Sequence, residues 1–145
     1  MTAHYTSKHG QVAKAPEELF MLFTDMRNFT AMAPEKFKDS ITADFDFLRA
    51  TVQGFTIAVR VDERQPYRLI RIGSSESPVE FVATLHFEPG LLPGRTDFSI
   101  EADLNLNFMM KTLLGGKLQT ALDKAVDALV DISEGRMPDV PADMM

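Results

Sequence analysis

The chain has 145 residues, no cysteine, no tryptophan and a formal net charge of −6. That length predicts one domain, and the missing cysteines exclude disulfides, thiolate catalysis and cysteine-based metal sites. The acidic balance, with Lys and Arg dispersed, argues against nucleic acid as a partner, because phosphate binding needs a concentrated basic face.

Residues 1–8 lack the apolar stretch of a signal peptide, and no apolar run approaches the ~18–20 residues of a membrane span. Together with the absence of cysteine this fits a cytoplasmic protein without an integral membrane segment. Residues 3–13 read as an edge strand, polar on both faces. Pro16, Glu17 and Glu18 suit the first turn of a helix, and Leu19, Phe20, Leu22, Phe23 and Met26 continue it at helical spacing. A second short helical turn follows from Asn28 to Ala33 and stops at Pro34. Lys38 to Ala43 reads as a strand, 44–46 as a tight turn and Phe47 to Gln53 as the next strand, with Gly54 at the hairpin point.

Phe55, Ile57, Val59 and Val61 then alternate with Thr56, Arg60 and Asp62. A turn is expected at 63–66, a strand from Tyr67 to Ile72 and a loop at 73–78. Val79, Phe81, Ala83, Leu85 and Phe87 hold a strict period of two. So do Phe98, Ile100, Ala102, Leu104 and Leu106, with polar residues opposite, as in an antiparallel sheet with one solvated face. The Pro- and Gly-rich loop at 88–95 carries Leu91 and Leu92, which either fold back onto the end of the sheet or form a gate or contact surface. Asn107 suits the N-cap of a helix from Phe108 to Ser133, with Leu118, Leu122, Ala125, Val126, Leu129 and Ile132 on its apolar stripe. Gly115 and Gly116 predict a kink or interruption there. The tail at 137–145, with two prolines and no period, reads as disordered.

This order resembles the helix-grip fold of the START/Bet v 1-like superfamily (SRPBCC). The local matches are Ala15 to Phe20 (APEELF), Thr24 to Phe29 (TDMRNF), Val61 to Pro66 (VDERQP) and Gly115 to Leu118 (GGKL). The resemblance implies an α+β fold over residues 1–136. A seven-stranded curved antiparallel sheet would wrap around a long C-terminal helix, two short helices would follow the first strand, and a hydrophobic cavity would lie between sheet and helix. Within the superfamily the chain looks most like small uncharacterised bacterial members of the polyketide cyclase/dehydrase-like kind.

No catalytic signature is present. His4 and His9, five apart in one strand, are expected on opposite faces and make no metal pair. His86 and Glu88 share a solvated face, which gives no reason for shifted acidities. Asp123, Asp127 and Asp131 recur every four residues, as a solvated helix face or a surface for a basic partner. No dinucleotide or nucleotide motif surrounds the two glycines, so no cofactor is implied.

What remains is apolar. Phe47, Ile57, Val59, Phe81, Leu85, Phe98 and Ile100 on strands, with Leu114, Leu118 and Leu122 on the helix, are the expected lining of a cavity. A filled core remains the alternative. The functional expectation is a binding protein for a hydrophobic small molecule or lipid. A cyclase/aromatase-type enzyme is the second reading; it needs Arg49, Arg60, Arg68 or Arg71 to reach inward. A ligand-free interaction module is the third.

Overall fold

The computed structural model describes residues 2–32, 35–52 and 54–136. The expected helix stop at Ala33 and Pro34, the strand end at Gln53 and the tail at 137–145 lie outside them. The order is β1 (Thr2–Thr6), β2 (Gly10–Val12), α1 (Pro16–Thr24), α2 (Arg27–Met32), α3 (Glu35–Lys38), β3 (Ile41–Ala43), β4 (Phe47–Val52), β5 (Phe55–Gln65), β6 (Leu69–Glu76), β7 (Phe81–Pro89), β8 (Thr96–Asn105) and α4 (Phe108–Ser133). All strand pairs are antiparallel, in the order β1-β8-β7-β6-β5-β4-β3, with β2 also on β8. This is the expected helix-grip arrangement.

The differences sit where the backbone slips register. The single strand expected over 3–13 is two strands, because Ser7 to His9 add a residue opposite β8. Ser7 is buried and completes the ladder there: its N–H donates to the Ile100 carbonyl and its Oγ accepts from the Ile100 N–H, both at 2.8 Å. Lys38 ends a short helix instead of opening a strand. The turn expected from Glu63 is continuous β5, since Asp62 is an extra residue between the pairs Val61–Ile72 and Glu63–Arg71. A second extra residue, Ser75, lies in β6, which runs on to Glu76 into the loop expected at 73–78. Each bulge reverses which side chains face inward.

The N-terminal half of the chain closes one end of the sheet. Pro16 stands in the first turn of α1, and Glu18 accepts from the Ala15 N–H at 3.4 Å. At the other end of α1, Asn28 donates to the Leu22 carbonyl at 2.7 Å and Arg64 to the Thr24 carbonyl at 2.8 Å, so orphan carbonyls find partners. Phe20 and Phe23 enter a cluster with Phe29, Phe87 and Phe98, ring centroids 5.4–6.2 Å apart. This aromatic plug belongs to the buried core.

The last helix packs on β1, β2 and β8, while α1 covers β6 and β7. Asn107 caps α4 as expected, accepting from the Met110 N–H at 2.8 Å. The helix runs unbroken through Gly115 and Gly116, so the interruption expected there does not form. Its polar anchors begin past those glycines. Gln119 donates to the Thr6 carbonyl at 2.9 Å, Asp123 accepts from the Lys8 N–H at 2.7 Å, Asp127 pairs with the Lys8 ammonium at 2.7 Å, and Ser133 Oγ accepts from Ala13 N–H at 3.0 Å. Asp123 and Asp127 of the expected solvated stripe thus also tie the helix to the strand linker, with Asp127 still exposed. Asp127 also raises the pKa of Lys8, first through their hydrogen bond.

Candidate functional site

Paired residues on neighbouring strands share a face, so the register builds the inner surface row by row. One row runs Tyr5, Ala102, Ala83, Ile72, Val61 across β1, β8, β7, β6 and β5. Towards the free end of the sheet lies the row Ala3, Leu104, Phe81. Towards the aromatic plug lies Ile100, Leu85, Ile70, Arg64. The middle row is shallow, because two alanines sit side by side in it. Ala83 is only half-buried although its strand has neighbours on both sides.

The helix lies along the β1, β2 and β8 side of this face. At 100° per residue, Gly115, Gln119, Val126 and Val130 form the strip pressed against the sheet edge. Asp123 and Asp127 lie on the flank towards Lys8. Leu114, Leu118, Leu122, Ala125 and Leu129 lie on the opposite flank, Leu129 packed against the core. Val126 is the one side chain of the 26-residue helix that is fully buried. Leu114, Leu118 and Leu122 are half-buried and Ala125 is exposed.

The expected lining residues separate into three groups. Ile57, Val59, Phe81 and Ile100 stand on the inner face, with Leu114, Leu118 and Leu122 across from it. Leu85 and Phe98 share that face but are buried in the core, Phe98 within the aromatic plug. Phe47 pairs with Arg60 on the other face, and it is Leu48, paired with Val59, that packs on the core. Two apolar residues in succession hide the phase; Arg49, following Leu48, is the marker that gives it. Tyr5 and Leu48 are site-facing residues that the sequence reading missed.

A cleft of about 600 Å³ opens at the free end of the sheet, within the range of small-molecule sites. Ser74, Phe81 and Leu104 carry it onto the inner face, and Asp62, Glu76, Glu80 and Asp103 rim it. Of the expected lining residues, Phe81 lies on this cleft, and no residue of α4 does. Glu76 pairs with Arg49 at 3.5 Å.

The basic residues point elsewhere. Arg49, Arg60 and Arg71 occupy the outer phase of their strands, Arg71 paired with Glu63, and Arg68 is exposed in the turn before β6. The inward arginine is Arg64, turned in by the Asp62 bulge. It donates to Thr24 Oγ1 at 2.6 Å, pairs with Asp46 at 2.8 Å and lies 4.3 Å from the centre of the Phe45 ring. It is a clasp between α1, the turn before β4 and β5.

The histidines also depart from expectation. Because of the Ser7–His9 bulge, His4 and His9 share the outer face, donating to Asp103 and Asp97 at 2.7 Å each. His86 bonds Glu101, and Glu101 lies 3.5 Å from His4. The hydrogen bond to Asp103 holds the His4 pKa above its usual value. Among the described residues no group of three or more such side chains has a geometry that could hold a metal ion. Leu91 and Leu92 do not fold back; they are 86% and 61% exposed. No described helix is long and apolar enough to cross a membrane.

No family model matches the chain, and no curated protein matches it in sequence. Solved structures do match. Norcoclaurine synthase from Thalictrum flavum superimposes with a TM-score of 0.67 at 15% identity, covering 92% of each chain. An uncharacterised protein from Bacillus thuringiensis gives 0.66 at 14% identity, covering 91% of this chain and 99% of its own. XoxI from Bacillus cereus gives 0.60 at 13%, covering 91% and 96%. Identities this low speak to the fold alone: the chain has the Bet v 1-like helix-grip fold.

Proposed function

We propose that this protein binds a hydrophobic small molecule in the trough between the middle of the sheet and the leucine flank of α4. The observation that supports this reading is the half-burial of Leu114, Leu118 and Leu122 on α4 and of Ala83, Phe81 and Ile100 on the inner face, beside the buried Ala102, Ile72 and Leu85. The driving force is burial of apolar ligand surface, roughly 25 cal/mol per Å² before ordering costs. A ligand covering about 200 Å² in all would gain about 5 kcal/mol gross by that measure. The fold agrees: norcoclaurine synthase, which shares it, has been solved with dopamine and hydroxybenzaldehyde bound. The cysteine-free composition agrees with a cytoplasmic setting.

The test uses N-phenyl-1-naphthylamine, a neutral probe that brightens on leaving water. Saturable binding at one site is expected, and Leu122→Trp, which fills the trough from the helix side, is expected to abolish it while the protein stays folded. No saturable binding, or binding indifferent to both Leu122→Trp and Ala83→Phe, would overturn the reading.

A further inference from the structure

The trough is apolar along almost its whole inner surface, and one of its few polar groups is placed differently from the rest. Tyr5 stands at the β1 end of the alanine row, paired with Ala102. Its ring is half-buried and its hydroxyl reaches under α4 at Gly115, where an added Cβ would lie 3.3 Å from the oxygen. Glycine there keeps the space around the hydroxyl open, at about 1 kcal/mol of helix propensity relative to alanine. No described protein group bonds the hydroxyl, which is open to solvent and so available to a guest.

We propose that the Tyr5 hydroxyl is the polar anchor of the trough, bonding a hydroxyl or carbonyl group on a compact, otherwise apolar ring compound. This rests on the binding reading above and names the class of ligand. The neutral head follows from the surroundings. The three inner rows hold one charged side chain, Arg64, and its guanidinium is already engaged by Thr24 and Asp46. An ionic head would meet no free counter-charge there and would lose its hydration. Compactness follows from the floor. Two alanines span two strands, about 10 Å with their margins, and Phe81 and Leu85 on β7 stand about 13 Å apart along the strand. That outline suits one or two fused rings lying flat, with the polar group directed at Tyr5.

The experiment compares naphthalene with 2-naphthol, which is neutral near pH 7, by isothermal titration against wild type, Tyr5→Phe and Gly115→Ala. Wild type is expected to prefer 2-naphthol by about five- to tenfold, the scale of one sheltered hydrogen bond. Tyr5→Phe removes a hydroxyl that has no protein partner, so the fold is preserved and the preference falls to about one (naphthalene affinity holding steady). Gly115→Ala crowds the hydroxyl and is expected to reduce the same preference without touching the ring. A preference that survives Tyr5→Phe, or naphthalene binding with no preference in wild type, overturns the anchor and leaves the trough standing. If neither compound binds any of the three folded proteins, the trough itself is overturned, and the anchor with it.

Discussion

At Gly10 the side chains of α4 press on the sheet, which makes a sharp test of how the helix is seated. A Cβ at this position would fall 2.6 Å from Val126 Cγ1 and 2.8 Å from Val130 Cγ2, well inside contact distance. Val126 is fully buried, so it cannot swing aside. Gly10→Ala is therefore an overpacking change, expected to cost about 1–3 kcal/mol. At this chain length each kcal/mol moves Tm by about 3–4 °C, so a fall of roughly 3–12 °C is expected. Val126→Ala alone loses about 1.5 kcal/mol of transfer energy and, with the cavity left behind, about 2–3 kcal/mol in total. The double variant is the decisive measurement. Removing the Val126 methyls relieves the 2.6 Å contact and leaves the one to Val130 at 2.8 Å, so the combined loss should fall short of the sum by about 0.5–1 kcal/mol. Urea titrations of the four proteins give the coupling directly. A Gly10→Ala protein as stable as wild type, or two losses that simply add, would refute the close seating of α4 on β2.

Two further outcomes follow from other contacts. Arg64→Met keeps the length of the clasp but leaves the Thr24 carbonyl and Asp46 without their cation; a loss of about 2 kcal/mol is expected in urea, and Arg64→Lys should recover little of it, since a point charge cannot reproduce the fork. His4 has its pKa raised above 6.5 by Asp103, so the folded form holds this proton more tightly than the unfolded chain. Its contribution is complete below about pH 6 and fades as pH climbs through the raised value. Wild type minus His4→Gln stability should therefore shrink from acid to alkaline conditions, and an imidazole titrating at or below the usual value by NMR would contradict this.

Much of the fold is legible because most elements carry a clean period. The alternation from Phe81 to Phe87 and from Phe98 to Leu106 specifies β7 and β8, and Asn107 with the leucine stripe specifies α4 from its first residue. What escapes the sequence is each place where one extra residue enters a strand. Ser7 to His9, Asp62 and Ser75 carry no marker of their own, yet they decide that His4 and His9 share a face, that Arg64 points inward and that β6 runs on to Glu76. The site suffers from a different ambiguity. Leu85 and Phe98 have the correct face, but a strand pattern does not say which element covers that face, and for Phe98 the cover is Phe23 of α1. Tyr5 is hidden because its strand, Thr2 to Thr6, has one aromatic among small and polar residues, and only its pairing with Ala102 reveals the direction.

The uneven fastening of α4 has a consequence for cooperativity. Side-chain bonds to the sheet run from Gln119 to Ser133, while among the described residues none of 108–118 makes one. Phe108, Met109 and Leu113 are exposed on that unfastened stretch. The helix is continuous in its backbone but has two tiers of local stability. Its first three turns can fray while the last four hold, so the start of α4 can open at a fraction of the energy of global unfolding without the domain ever losing its core.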